Sequence, residues 1–142
     1  MITGIGVDVV HAGRMERWRN TPGILERYFH PMELSDALSK GSSVVLSLAA
    51  RFAAKEAFGK ALGTGLAGIV LKDIMVKNHH NGKPEIEIFG SALAAFSKSG
   101  ANRIHVSLTH EKENATAMVL LEYVDEAASD TPGVTGVSGG VK

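Results

Sequence analysis

Hydrophobic and polar positions fall into short blocks whose period changes along the chain. Ile2 to Val10 is apolar apart from Thr3, two glycines and Asp8. Its β-branched content predicts a buried strand. A broken helical region follows. His11 to Arg19 is short and Arg-rich, and Thr21-Pro22 has the form of an N-cap with proline at the first helical position. Glu26 to Phe29 continues that turn of helix, and Pro31 opens another short helix through Leu38. Ser42 or Ser43 can cap a long helix that runs to about Leu62, where Gly63 and Gly65 end it.

Strand patterns dominate the second half. Ile69 to Lys77 predicts a strand, and Asn81-Gly82 is a hairpin turn signal. Pro84 to Phe89 alternates, with Ile86 and Ile88 on one face and Glu85 and Glu87 on the other. Ser91 to Lys98 predicts a short helix closed by Gly100. Arg103 to Thr109 and Asn114 to Val124 predict two strands, joined by a loop short enough for a hairpin. The order is strand, helices, two strands, helix, two strands. That is an α+β pattern, a small antiparallel-type sheet packed with one long and several short helices, and not a doubly wound parallel sheet.

Composition sets limits on function. The chain has 142 residues, which suits one domain. From Asp125 the composition turns to Gly, Ser, Thr, Pro and Val without periodicity. We therefore expect a folded body over 1–124 and a flexible tail over 125–142. No apolar run approaches the ~20 residues of a membrane-spanning helix. Met1 to Val10 lacks the early positive charge of a signal peptide, so a cytoplasmic location is expected. There is no cysteine, which excludes a disulfide framework, a thiolate metal site and a Cys nucleophile. The net charge is zero, which disfavours a strongly basic nucleic-acid binder. That zero hides an asymmetry. Residues 1–110 carry 13 basic and 9 acidic side chains, whereas 111–142 carry 2 and 6. A mildly positive body can attract an anionic partner.

A few positions carry candidate chemistry. Asp8 stands among Ile5, Val7, Val9 and Val10, where a carboxylate is costly to bury without a partner. It either caps the following helix or reaches solvent at the strand's edge, or else it binds a hard cation. In the long helix, Phe52, Glu56 and Lys60 follow at i, i+4 spacing, with Ala49 and Ala53 beside them. Either Glu56 and Lys60 form a helix ion pair worth ~0.2–0.5 kcal/mol, or Glu56 serves a metal and Lys60 a phosphate. Gly63-Thr64-Gly65 can present backbone N–H groups to phosphate oxygens, although the Walker spacing is absent. In the strand from Arg103, Ser107 and Thr109 share one face and His110 ends the other. The hydroxyls can donate to phosphate, and His110 can bind an anion or transfer a proton. Arg14, Arg17 and Arg19 form either a solvated face or a docking surface for an acidic protein. His79-His80 sits in a turn, and no Gly-x-Ser-x-Gly elbow occurs.

In combination, several stretches carry a resemblance over about residues 1–124. They are Gly4-Ile5-Gly6-Val7-Asp8-Val9-Val10, Arg51-Phe52-Ala53-Ala54-Lys55-Glu56-Ala57-Phe58-Gly59-Lys60-Ala61, Gly63-Thr64-Gly65, Asn81-Gly82-Lys83-Pro84 and Val106-Ser107-Leu108-Thr109-His110. In order and spacing the chain resembles the holo-[acyl-carrier-protein] synthase family, the short type of 4′-phosphopantetheinyl transferase. The resemblance implies that family's fold and activity. It would move the 4′-phosphopantetheine arm of coenzyme A to a serine of apo acyl carrier protein, in support of fatty acid biosynthesis. Adenosine 3′,5′-bisphosphate would be released, and Mg²⁺ is required. It also implies a homotrimer with active sites between subunits.

Carried over residue by residue, the metal carboxylates fall on Asp8 and Glu56. The coenzyme A contacts fall on Lys60, on Gly63, Thr64 and Gly65, and on Ser107, Thr109 and His110. Asp8, Glu56 and Lys60 form the catalytic set. The carrier-docking arginine falls on Arg14, with Arg17 beside it. The alternative is a module that binds coenzyme A or a nucleotide without turnover. A third reading is a structural trimer whose polar residues only satisfy one another.

Overall fold

The structure, a computed structural model, describes residues 1–126. Strand β1 (Ile2–His11) opens the chain and leads into three short helices, α1 (Ala12–Arg19), α2 (Ile24–Tyr28) and α3 (Pro31–Leu38). The long helix α4 (Val44–Leu62) comes next. Then follow the hairpin of β2 (Ile74–Asn78) and β3 (Pro84–Ile88), helix α5 (Gly90–Lys98), and the hairpin of β4 (Arg103–Glu111) and β5 (Asn114–Glu122). The main sheet runs β1-β5-β4 and is antiparallel throughout; β2 and β3 form a separate antiparallel ribbon. The α+β reading of the sequence describes this architecture.

Local chemistry explains most element ends. Pro31 occupies the start of α3. Before it, the His30 ring Nδ1 accepts from the Met32 N–H at 3.1 Å, while the Glu33 carboxylate accepts from the His30 N–H at 3.0 Å. That reciprocal arrangement satisfies two otherwise orphaned donors. Helix α4 stops at Gly63, whose φ of 84° suits glycine. Gly82, at φ 87°, turns the β2–β3 hairpin where Asn81-Gly82 placed it.

Four expectations need correction. Strand β1 is not buried on both faces. Gly6 and Val10 point inward, while Ile5, Val7 and Val9 are exposed, because only one face of the sheet is covered by helix. Thr21 does not cap α2; its hydroxyl donates to the Arg17 carbonyl, and Gly23, in a left-handed conformation, takes the cap position. The strand expected from Ile69 starts only at Ile74, after a 3₁₀ turn at Leu71–Asp73. Ser43 precedes α4 without a side-chain capping bond, because the 3₁₀ turn Gly41–Ser43 leads straight into the helix.

Helix α4 lies at the centre, buried over most of its circumference. Its small side chains are the reason it can be approached so closely. A Cβ on Gly4 would lie 1.9 Å from the Ala61 carbonyl oxygen, and one on Gly6 would lie 2.1 Å from the Ala57 oxygen. The backbone of β1 therefore rests directly on the backbone of α4. On α4's other side, Lys55 is fully buried and its Nζ meets the Glu33 carboxylate at 2.7 Å. It also donates to the carbonyls of Leu71 and Ile74, and Glu33 accepts from the Val76 N–H. This satisfied network ties α3 and β2 to α4. Burial pushes the Lys55 amine below its ordinary value, and the Glu33 charge opposes that shift.

Past the end of the expected body, Glu126 pairs with Arg103 at 3.1 Å. The rest of the expected tail, 127–142, lies outside the described residues.

Candidate active site

The motif Gly4-x-Gly6-x-Asp8 becomes legible once β1 is seen on α4. Gly4, Gly6 and Asp8 are alternate residues, so they share the inward face. The glycines admit the helix, and Asp8 is delivered to its flank. There Lys60 Nζ meets Asp8 Oδ1 at 2.9 Å and the Val7 carbonyl at 3.0 Å. The helix ion pair considered between Glu56 and Lys60 is not formed; Lys60 turns to the strand instead. Glu56, half-buried, makes no hydrogen bond or ion pair among the described residues. Its desolvation, and then the Asp8 charge, push its carboxyl above the usual range, while Arg14 and Lys60 act in the opposite direction.

Two carboxylates and no third ligand suit a hard cation that keeps most of its positions for water and substrate oxygens. No cluster of three or more His, Asp or Glu side chains is found among the described residues. Glu56 is the telling group. A half-buried, unengaged carboxylate whose ionisation a second carboxylate opposes is relieved by a cation shared between the two. Asp8 and Glu56 thus fit a divalent cation by donor chemistry.

The glycine turn lies at the C-terminal end of α4. The Gly65 N–H returns to the Gly59 carbonyl at 3.0 Å, folding the turn back onto the helix. A helix C-terminus carries partial negative charge, which opposes phosphate. Any attraction for phosphate here must come from Lys60. Gly63 and Gly65, at φ 84° and 69°, keep the turn narrow, and Thr64 bends beside its own backbone.

Strand β4 divides its expected contacts between two faces. Ser107 and Thr109 point outward, level with Met118 and Thr116 of β5. His110 belongs to the inward register and lines a cavity of about 240 Å³ with Lys40, Ser43, Ser47, Arg51 and Asn78. Neither Asp8 nor Glu56 borders that cavity. Asp8 is on β1 and His110 on β4, the two edge strands, so the expected contacts are not gathered into one place within a single chain.

Arg51 and Lys40 were given no task by the sequence reading. Arg51 is almost wholly buried, donating to Asp36, the Val76 carbonyl and Ser47. An arginine within an Ala-rich helical run was the available signal, because so costly a burial needs partners.

The Arg-rich helix proves to be two kinds of surface. Arg17 is exposed in the last turn of α1. Arg14 instead lies over aromatic rings, its guanidinium carbon 5.1 Å from the centroid of Trp18 and 4.7 Å from that of Phe52.

Comparison with known proteins decides the family. The 4'-phosphopantetheinyl transferase superfamily matches residues 4–118. The chain belongs to this superfamily. A holo-[acyl-carrier-protein] synthase of Treponema denticola is 56% identical over 122 residues, 86% of this chain and 99% of that protein. One from Treponema pallidum is 46% identical, again over 86% of this chain and over 97% of its own length. Among solved structures, the Neisseria meningitidis holo-[acyl-carrier-protein] synthase superposes with a TM-score of 0.75 at 36% identity, covering 86% of this chain and 99% of that one. The Bacillus anthracis synthase, solved in complex with coenzyme A (3',5'-ADP), gives 0.73 at 36% identity, over 87% and 99%. The match takes in β1 from Gly4 onward and the whole of α4, and so includes Asp8, Glu56 and Lys60.

Proposed function

We propose that this chain transfers the 4′-phosphopantetheine arm of coenzyme A to a serine hydroxyl of apo acyl carrier protein, with Mg²⁺ held by Asp8 and Glu56. The reading rests on one observation above the others: β1 lies on α4 through Gly4 and Gly6, which brings Asp8 to Lys60, one turn of α4 beyond the unengaged Glu56. The serine oxygen bonds to the β-phosphorus as the bond to adenosine 3′,5′-bisphosphate breaks, and one proton is released. Such a transfer depends on positioning and charge neutralisation more than on covalent work by the enzyme. When bound, Mg²⁺ supplies electrostatic stabilisation of the pyrophosphate oxygens.

The chain's own residues do the rest. Lys60, fixed by Asp8 and the Val7 carbonyl, presents its positive charge next to the carboxylate pair. The Gly63-Thr64-Gly65 turn takes the arm beyond the pyrophosphate. The cavity at His110, with Lys40 and Arg51, takes the phosphorylated adenosine end. Arg14 and Arg17 meet the acidic carrier.

The placement of His110 and Asp8 on opposite edge strands supports a complete site formed between copies of the chain, as a homotrimer. The exposed Ile5, Val7, Val9 and Met118 on the uncovered sheet face support that assembly. By contrast, Val44 and Leu48 and the inward side of β5 pack into the chain's own core. No helix among the described residues is long and apolar enough to cross a membrane, which is in keeping with a cytoplasmic setting.

Intact-mass spectrometry tests the proposal. Apo carrier protein is incubated with coenzyme A, Mg²⁺ and wild-type protein, with Asp8→Asn and Glu56→Gln in parallel. One added phosphopantetheine with wild type, and none with the folded variants, is expected. Coenzyme A binding without transfer to acyl or peptidyl carriers would establish the non-catalytic alternative. A loss of folding alone in the variants would favour a structural role.

A further inference from the structure

The aromatic cluster at the α1–α4 contact does more than fill space. Trp18, the sole tryptophan, stands 4.9 Å edge-on from Phe52 and 5.1 Å from Tyr28. Phe52 is buried at the heart of α4, one turn before Glu56. The Arg14 guanidinium lies against both Trp18 and Phe52, within the usual ~6 Å range of a cation–π contact. Yet Arg14 makes no hydrogen bond or ion pair among the described residues. Its N–H donors are unspent, and its direction is set by rings. A planar guanidinium stacks in this way and a lysine ammonium does not.

We propose that Arg14, clamped by Trp18 and Phe52 one helical turn from Glu56, couples docking of the acidic carrier to divalent-cation binding at Asp8 and Glu56. The inference rests on the cation site and docking face proposed above. Without the carrier, Arg14 is a positive neighbour of the cation site and weakens metal binding. Arg14 lies 4.7 Å from the centroid of the Phe52 ring, and Phe52 stands one turn of α4 before Glu56. A carrier carboxylate that engages the free N–H donors neutralises the neighbour. Cation affinity then rises, and by linkage the cation tightens carrier binding by the same factor. Trp18 is a positioning residue in this arrangement. It touches neither substrate nor cation and acts through Arg14.

The test measures affinity, not turnover. Mg²⁺ is titrated calorimetrically into wild type, Arg14→Gln, Trp18→Leu and Trp18→Phe at low salt. Each titration is repeated with a carrier protein whose acceptor serine is replaced by alanine. A unit charge about one helical turn from a divalent ion at near-aqueous screening is worth roughly three- to tenfold in affinity. Arg14→Gln is therefore expected to bind Mg²⁺ tighter than wild type by that factor when no carrier is present. The carrier should tighten Mg²⁺ binding by wild type and leave Arg14→Gln unchanged. Trp18→Leu should lose most of the carrier effect and Trp18→Phe should retain it, with melting temperatures reporting that each variant is folded. Equal Mg²⁺ affinity in wild type and Arg14→Gln, or an equal carrier effect in both, overturns the coupling while leaving the cation site intact. Absence of Mg²⁺ binding by wild type overturns the cation site, and the coupling with it.

Discussion

Gly6→Ala probes the contact on which the site depends. Its Cβ would lie 2.1 Å from the Ala57 oxygen and 2.7 Å from the Ala61 nitrogen. Ordinary carbon contacts begin near ~3.4 Å, so β1 must move away from α4 by about 1 Å. Both obstructing atoms are backbone atoms of a buried helix, so no side-chain rotation on α4 relieves the overlap. Overpacking of a core costs typically ~1–3 kcal/mol, and a rigid backbone obstacle places this variant at about 3 kcal/mol. For a body of this size the melting temperature falls roughly 3–5 °C per kcal/mol, or about 9–15 °C in all. Asp8 lies two residues further along the displaced strand, so a shift of that size should also weaken Mg²⁺ binding at least tenfold. Thermal denaturation and Mg²⁺ titration measure the two effects. The exposed neighbour Thr3→Ala should change stability by less than ~0.5 kcal/mol. A Gly6→Ala protein that melts within about 4 °C of wild type and binds Mg²⁺ equally well would refute the argument that glycine is needed for the approach.

Three further outcomes follow from the same geometry. Lys55→Met strands the buried Glu33 carboxylate and should cost about 3–5 kcal/mol by denaturant unfolding, with part recovered by adding Glu33→Gln; a loss below ~1 kcal/mol contradicts the network. In metal-free protein Glu56 holds its proton more tightly folded than unfolded, so its share of stability is full below the usual carboxylate value and is lost as pH rises through the folded one. Asp8→Asn removes one cause of that shift and should flatten the fall in stability over the weakly acidic range; an unchanged slope in unfolding measured across pH would count against it. If the proposed trimer forms through the uncovered sheet face, wild type should sediment as a trimer and Val7→Asp as a folded monomer, whereas a variant that is still trimeric would place the subunit contact elsewhere.

The elements were largely legible in the chain, and so were the polar residues that stand out from their apolar surroundings. Pro31, Gly63, Asn81-Gly82 and Gly100 punctuate it where the structure does, because turn and cap geometry is a local property of backbone φ. Asp8 stood out as a carboxylate in an apolar strand, and Glu56 and Lys60 as polar groups on a small-residue helix. Three features were non-local and stayed out of reach. Periodicity along β1 could not say which face would be covered, so Ile5, Val7 and Val9 read as core although they are exposed. Helix spacing offered Glu56 to Lys60, but the lysine found a carboxylate fifty-two positions away. Nor could it foresee Arg14 seated on Phe52, since that contact joins α1 to α4. Sequence determined which backbone turns were possible and which groups could hold charge. Only the tertiary structure decided which charges meet, because the close approach of β1 to α4 is set by two glycines meeting a helix far along the chain.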